Sequence, residues 1–301
     1  MMKKKTIFKI LNVTSWTVLS LAALAVVFPV FVCDQFRIGG GSMRPTLETG
    51  DHILVNKLLM GARIYTKYDF SGPDMECFRM PGFRNIRPGD VAVFNYPRGR
   101  DRKIIEFRIN YVYAKRCIGS PGDSVSIVDG CYRNSSCPER VFGSGQLQRH
   151  LSETPAAVLL EENVYLPAFP FIDSLGWSVR DFGPMYVPGR GDAVILDPVS
   201  AKLYEMQIEF ETGVRPVVDG DTVLMDGKPV KEYRFRGDWY FFGGDNVLNS
   251  KDSRYIGLVP EEYIVGIATH VIWKGGRFRF SKILERTTVP VRQFRISICG
   301  Y

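Results

Sequence analysis

Three polar segments of this sequence carry side chains that could act together in nucleophilic catalysis. The first, residues 39–47, places three consecutive glycines before Ser42. Glycines let a backbone approach a substrate closely and expose the serine hydroxyl. A flexible linker is the alternative interpretation of such a loop, but a linker does not explain the apolar residues Met43 and Leu47. Ser42 is therefore a candidate nucleophile.

The second segment, residues 111–123, contains a lysine in an unusual setting. Lys115 ends an apolar, strand-like run and precedes a Pro-Gly-Asp turn. Burial removes the hydration of a charged amine and lowers its pKa, and a shift to near 8 corresponds to roughly 3 kcal/mol. A neutral amine can take the proton of a serine hydroxyl. Lys115 is therefore a candidate general base.

The third segment, residues 243–257, is dense in Asp, Asn, Ser and Arg between two strand-like runs. It is consistent with an ordinary polar loop. It is equally consistent with a set of charge-assisted hydrogen bonds that hold a catalytic lysine in place.

Together and in this order, the three segments resemble the bacterial type I signal peptidases, a family of serine proteases with a Ser-Lys dyad. The resemblance rests on Ser-Met-x-Pro-Thr-Leu at 42–47, Lys-Arg-x-x-Gly-x-Pro-Gly-Asp at 115–123 and Gly-Asp-Asn-x-x-x-Ser-x-Asp-Ser-Arg at 244–254. It covers roughly 36–125 and 220–272.

The resemblance implies a role for each matching residue. Ser42 would be the nucleophile and Lys115 the general base, while the backbone N–H of Ser42 would donate to the oxyanion. Many family members have a serine as a second donor two positions before the nucleophile, where this chain has Gly40. The supporting residues would be Ser250, which orients the lysine, the ion pair of Asp252 and Arg254, and Asp245.

The resemblance also implies a substrate. Family members remove signal peptides from exported precursors after Ala-x-Ala through an acyl-enzyme. The shallow apolar pockets that accept these small residues would here be formed by Ile38, Met43, Leu47, Tyr113 and Ala114. The expected partners are secretory preproteins emerging from the translocation machinery and membrane lipid, with no nucleic acid. Neither the resemblance nor the cysteine and histidine spacing indicates a metal or another cofactor.

The N-terminus predicts a membrane anchor. Four lysines precede an uncharged stretch from Ile10 to Cys33, which as a helix of about 36 Å would span a hydrocarbon core of about 30 Å. A cleavable signal peptide is the alternative, with Ala23-Leu24-Ala25 as its cleavage site, but the apolar run continues beyond that tripeptide. The lysines predict that the N-terminus lies in the cytoplasm. The anchor would then cross the inner membrane and place the catalytic domain on the periplasmic side.

The rest of the chain predicts a mainly β fold, a barrel-like catalytic domain with an inserted second β subdomain. Its strand-like runs are Val91–Phe94, Val125–Val128, Ala193–Leu196, Thr222–Met225, Trp239–Phe242 and Val265–Trp273. Asp129-Gly130 and Asp226-Gly227 suit tight hairpin turns, and the best helix candidate lies near 152–162. The predicted divisions are a basic segment 1–9, an anchor 10–33, a catalytic domain 34–129 and 220–273, an insertion 130–219 and a basic tail 274–301.

The charge and the cysteines add two expectations. The net charge of +7 is concentrated in the tail, whose basic residues suit either a solvated surface or contact with anionic lipid headgroups. Cys131 and Cys137 lie in a turn-like segment, and an oxidising exterior would allow them to pair as a disulfide.

Three other functions are alternatives to this one. A Ser-His-Asp hydrolase would use His52, but His52 lies in a probable strand and Ser42 has no nucleophile-elbow context. A self-cleaving repressor-type Ser-Lys protease would carry a DNA-binding module and no anchor. The non-enzymatic alternative is a membrane-tethered scaffold that binds exported chains, a pseudoprotease.

Overall fold

The computed structural model describes residues 2–69, 75–98 and 104–283, with the side chains of residues 2–7 left out. Its helices are α1 (Met2–Phe31), α2 (Gly145–Glu153), α3 (Ala156–Glu161), α4 (Pro198–Leu203), α5 (Glu205–Thr212) and α6 (Ser253–Ile256), with 3-10 turns at Asp173–Leu175 and Glu261–Tyr263. Its strands are β1 (Cys33–Arg37), β2 (His52–Asn56), β3 (Arg63–Tyr65), β4 (Cys77–Arg79), β5 (Val91–Asn95), β6 (Val112–Gly119), β7 (Ser124–Val128), β8 (Cys131–Asn134), β9 (Phe182–Tyr186), β10 (Ala193–Ile195), β11 (Val217–Asp219), β12 (Thr222–Met225), β13 (Lys228–Pro229), β14 (Glu232–Arg234), β15 (Trp239–Gly243), β16 (Val259–Pro260), β17 (Ile264–Lys274) and β18 (Arg277–Lys282).

Helix α1 is the one helix in the described part of the chain that is long and apolar enough to cross a membrane. Its stretch Phe8–Phe31 has a mean hydropathy of 2.0, and its apolar window is not buried against the rest of the protein. The end of the helix is tied to the sheet by Lys57, whose Nζ donates to the carbonyl oxygen of Pro29 at 2.6 Å and forms an ion pair with Asp34 at 3.0 Å. The anchor therefore leads directly into the folded domain.

The main sheet has eight strands in the order β1-β2-β17-β5-β6-β15-β16, with β18 pairing β17, and it curls into a half-barrel. Neighbouring strands in the described part of this sheet pair in antiparallel fashion. All five residues of β5 and all five of β15 are buried, so the centre of the sheet is covered on both faces. The predicted fold class, mainly β behind one apolar helix, is confirmed.

The side chains of the central strands alternate between two apolar clusters. Ala92 and Phe94 of β5 pack into a cluster with Cys117 and Tyr263. Val91 and Val93 pack instead into a cluster that contains Met43 and Leu47, the residues just after Ser42. Successive side chains of a strand point to opposite faces. The cluster that contains Met43 and Leu47 therefore packs on one face of the sheet, and the cluster that contains Tyr263 packs on the other.

The segment 130–219 forms helices and short strands that pack against the main sheet. A single buried cluster runs from Ile118 and Phe241 of the main sheet to Leu159 and Leu203 of this segment. Its status as a separate subdomain stays a prediction. Helices α2 and α3 lie near the predicted helix at 152–162, whereas α4 and α5 were not predicted.

Both predicted hairpin turns are present. Asp129 and Gly130 connect β7 to β8 with φ angles of 49° and 71°, and Asp226 and Gly227 connect β12 to β13 with 51° and 72°. Two consecutive positive φ angles define the type I′ turn that Asp-Gly favours.

The structure corrects the expected disulfide, since Cys131 and Cys137 are both free thiols. Cys131 begins the extended strand β8, while Cys137 lies in the turn after it and donates its N–H to the carbonyl of Asn134. Of the predicted basic tail, residues from 284 onward, with Arg286, Arg292 and Arg295, lie outside the described residues.

Candidate active site

The loop that carries Ser42 follows β1 and is held from two directions. Asn246 donates its backbone N–H to the carbonyl of Ser42 at 3.0 Å and its side-chain amide to the carbonyl of Gly41 at 3.2 Å. Met43 and Leu47 anchor the loop from below, with 1% and 0% exposure. Ser42 itself is partly exposed, so its hydroxyl sits on a fixed backbone at the surface.

Lys115 reaches this hydroxyl from β6. Its Nζ atom is hydrogen-bonded to Oγ of Ser42, and its side chain is only 2% exposed. Burial lowers the pKa of the Lys115 amine from 10.5 to about 8; the nearby Asp252 opposes this shift and Arg254 adds to it. A lysine with such a pKa is neutral in a large fraction of molecules at mildly alkaline pH.

Asp252 and Arg254 form a fully buried ion pair beside the lysine. Arg254 donates from Nε and Nη2 to the two carboxylate oxygens at 2.8 and 2.9 Å, and the N–H of Gly244 adds a bond of 2.8 Å. Burial alone would raise the pKa of Asp252, but these contacts outweigh it and hold the pKa below its usual value. Asp252 also accepts from the Arg254 N–H at the start of α6, so the pair fixes the end of the third polar segment.

A second buried ion pair joins the second and third polar segments. Arg116 donates to both carboxylate oxygens of Asp245 at 2.6 Å each, and Thr46 donates its hydroxyl to the same carboxylate. Arg116 also donates to the carbonyl of Gly89 at 2.7 Å. Thr46 comes from the serine loop, so this network connects the nucleophile, the strand of the base and the third segment.

Sequence reasoning did not assign roles to Arg116, Thr46 and Asn246. The available signal was their position inside the three matching segments, since Arg116 follows the lysine and Thr46 lies four residues after the serine. The sequence predicted Asp245 as a supporting residue but did not indicate which residue it pairs with. The antiparallel pairing of β6 with β15, which sets Arg116 opposite Gly243, brings the partner into place.

The predicted partner of the lysine, Ser250, makes no hydrogen bond with it. The Ser250 hydroxyl is buried, lies near the Asp252 carboxylate and has no well-aligned hydrogen-bond partner within the part of the chain that the structure describes. An atom added to the α-carbon of Gly244 would lie 2.1 Å from the Ser250 hydroxyl oxygen and 2.7 Å from the carbonyl oxygen of Ser42. Ser250 and Ser42 are therefore neighbours across Gly244, which must be glycine for both to fit.

The residues predicted to form a substrate pocket are divided between two faces. Ile38, Met43 and Leu47 are buried together beneath the serine loop, with the partly buried Ala114 packed against them. Tyr113 lies on the opposite face of β6 and packs on Tyr96 with ring centroids 4.8 Å apart. Neighbouring residues of a strand point in opposite directions, so one pocket cannot include both Tyr113 and Ala114 as side walls.

The glycines before Ser42 leave room above the hydroxyl. A Cβ added at Gly39 or Gly40 would meet no atom within 4 Å. No hydrogen bond occupies the backbone N–H of Ser42 among the described residues. That N–H is available to a developing negative charge on a substrate oxygen. Nor does the described chain hold three or more His, Cys, Asp or Glu side chains grouped so that they could bind a metal ion.

The geometry thus combines a surface hydroxyl, a buried amine of lowered pKa bonded to it, and a free backbone donor on the same residue. These are the parts of a serine nucleophile activated by a lysine. His52, the alternative base, is hydrogen-bonded through Nδ1 to Gln35.

Comparison with known proteins identifies relatives of this arrangement. Residues 11–153 and 224–273 match the family model described as "Signal peptidase, peptidase S26". The signal peptidase I of Pseudomonas aeruginosa is 29% identical over 262 residues, covering 83% of this chain and 68% of that protein. Those of Aquifex aeolicus (29%, covering 85% and 82%) and Buchnera aphidicola subsp. Baizongia pistaciae (27%, covering 92% and 83%) are similar to it as well. All three polar segments fall in the matched ranges, while 154–223 does not.

Proposed function

Because the chain belongs to the signal peptidase family S26, whose members are membrane-anchored serine endopeptidases that remove signal peptides, we propose that it cuts exported precursors with Ser42 as nucleophile and Lys115 as general base. The observation that supports this assignment most strongly is the hydrogen bond between the Ser42 hydroxyl and an amine that is 2% exposed. A solvated lysine would be charged and could not accept the proton.

The proposed reaction follows from the positions of these two groups. The neutral Lys115 amine takes the hydroxyl proton as Ser42 Oγ attacks the scissile carbonyl carbon, and the Ser42 N–H donates to the oxyanion. The ammonium then gives its proton to the departing amine, which leaves an acyl ester on Ser42. Water attacks this ester with Lys115 again as base, and the signal peptide departs with a free carboxylate.

The cleavage specificity we propose depends on the apolar cluster beneath the serine loop. Met43 and Leu47 have almost no exposed surface, so any pocket above them is shallow. A shallow apolar surface accepts alanine and excludes larger side chains, because these would require a cavity that the packed core does not contain. This supports cleavage after Ala-x-Ala.

The location we propose places the catalytic site outside the inner membrane. The lysines at the start of α1 favour a cytoplasmic N-terminus, and β1 begins two residues after the helix ends. Ser42 then lies close to the outer face of the inner membrane, where a translocated signal sequence presents its cleavage site.

The test is cleavage of a purified precursor that carries an Ala-x-Ala site. The full chain in detergent should release mature protein, and Ser42→Ala should reduce the rate to background. Production of no mature protein by the wild-type chain would instead support the pseudoprotease. A second pair of variants separates the two candidate bases: Lys115→Ala should abolish cleavage and His52→Ala should retain it, whereas the reverse pattern would reject the assignment.

A further inference from the structure

A cavity of about 1020 Å³ adjoins the catalytic site on the side of Ser250. It is at the large end of the range for ligand-binding pockets. Ser250 lines it, and the same residue is the neighbour of Ser42 across Gly244. Ser250 is therefore shared between the cavity wall and the surroundings of Ser42.

The walls of the cavity come from both the matched and the unmatched parts of the chain. Tyr96, Ser250 and Lys251 belong to the ranges shared with the family model. Much of the remaining wall is formed by residues 163–172 and 201–218, which lie within the unmatched stretch 154–223. Much of the cavity wall is thus formed by residues outside the ranges that match the family model.

The chemistry of the walls is aromatic and cationic. Tyr165 and Phe171 are 57% and 50% exposed, with ring centroids 6.4 Å apart. Lys202 and Lys251 are exposed and form no ion pair with any described carboxylate. Glu205, the acidic residue of the wall, is already paired with Arg215 at 3.1 Å. The cavity therefore has unneutralised positive charge beside exposed rings, and it is complementary to an acidic segment.

The position of the cavity relative to β6 indicates which part of a precursor reaches it. Ala114 faces the apolar cluster under the serine loop, the side proposed for the small residues before the cut. Tyr113 faces the other way and packs on Tyr96, which lines the cavity. The Lys115 amine lies on the Tyr113 side, with its Nζ 5.5 Å from the centre of the Tyr113 ring. A chain that leaves the dyad past this ring therefore reaches the cavity wall at Tyr96.

We infer that this cavity binds the first residues of the mature protein, immediately after the cut bond, and favours acidic side chains among them. This rests on the proposed function and adds a specificity site to it. Lys202 and Lys251 would attract the acidic residues, while Tyr165 and Phe171 would pack against the extended chain.

The experiment uses the full-length protein in detergent and peptides with one common sequence up to the cut. Three versions differ after it: an acidic stretch, a basic stretch of equal length, and a truncation that leaves a single neutral residue after the cut. We expect kcat/KM to be about fivefold higher for the acidic than for the basic peptide, since each exposed charge contact changes affinity by a few-fold.

Variant proteins assign the preference to the cavity. Lys202→Glu should reduce the ratio between acidic and basic peptides by about threefold and leave the truncated peptide unaffected. The matched control is Lys228→Glu, an exposed lysine of β13 that is not part of the cavity wall, and it should preserve the wild-type ratio.

The possible results separate this inference from the proposed function. Equal rates for the acidic and basic peptides, or an equal effect of Lys202→Glu on the truncated peptide, would overturn the inference while cleavage itself stands. The second of these results would place residues before the cut in the cavity. Failure of the wild-type protein to cut any of the three peptides would overturn both.

Discussion

The chemistry proposed for Lys115 depends on the surroundings of one amine. Its side chain is 2% exposed, and burial is the largest cause of its lowered pKa. In the charged form this amine destabilises the folded protein, because unfolding would return it to water. The property that makes it a base therefore has a consequence for stability.

Lys115→Met should abolish cleavage and stabilise the fold at neutral pH. Between pH about 8 and 10.5 the unfolded lysine binds a proton that the folded one has lost, so wild-type stability rises with pH in that window. Methionine carries no charge, so below pH 8 the free energy of unfolding of the variant should exceed that of the wild type by about 3 kcal/mol. Thermal melts at about pH 6.5 and 9.5 measure the difference. A variant less stable than wild type at the lower pH would show that the amine is not desolvated.

Gly244 should be intolerant of a side chain although its φ angle is not positive. A Cβ there would lie 2.1 Å from the Ser250 hydroxyl oxygen and 2.7 Å from the Ser42 carbonyl oxygen, so the serine loop has to move. Gly244→Ala should lower kcat/KM about 100-fold, while the control Gly40→Ala, which meets nothing within 4 Å, should keep activity within a few-fold. Similar rates for the two variants in the precursor assay would contradict this close packing.

At the scale of elements, the three polar segments are joined by buried ion pairs. The Arg116–Asp245 pair links β6 to the loop after β15, and Thr46 adds the serine loop. Side-chain exposure at this pair is 4% and 0%. Removing one partner of such a pair leaves the other charge buried without compensation.

Asp245→Asn should therefore destabilise the protein by about 3–5 kcal/mol and reduce activity. The matched control is Asp90→Asn, which breaks the more exposed pair with Arg84, where side-chain exposure is 28% and 14%. That change should lower the free energy of unfolding by under about 2 kcal/mol. Chemical unfolding of both variants in the same detergent compares them. Equal losses would mean that burial does not set the strength of the central pair.

Several elements could be predicted from the sequence because their signals are local. The short runs of β-branched and aromatic residues predicted β5, β7 and β15, and Asp-Gly predicted both type I′ turns. The disulfide prediction was wrong because spacing alone does not show that Cys131 begins a strand that ends at Asn134, while Cys137 lies in the turn after it. Helices α4 and α5 were not predicted, since their buried residues belong to a core completed only by distant strands.

The site shows the same division between local and long-range information. Ser42, Lys115 and the Asp252–Arg254 pair are each contained in one short motif. The partners of Asp245 were not predictable, because Arg116 and Thr46 lie 129 and 199 residues away in sequence. The position of the Ser250 hydroxyl near Asp252 instead of Lys115 was not predictable either, since it depends on the orientation of a side chain within the loop.

At the scale of the whole molecule, α1 and the tie from Lys57 to Pro29 and Asp34 hold the folded domain against the end of the anchor. The orientation we propose puts this domain outside the inner membrane. In cells whose outer membrane has been permeabilised, added protease should therefore digest the domain, and a tag before Lys3 should resist digestion until the inner membrane is lysed. Protection of the domain together with digestion of the tag would reverse the orientation.

The most direct test of the Ser42–Lys115 dyad is the pH dependence of kcat/KM for a precursor with an Ala-x-Ala site. The pKa of Lys115 is about 8, so the rate should rise with pH, reach half its maximum near that value and level off above it. A rate that stays constant from about pH 5 to 9 would contradict a neutral lysine as the base.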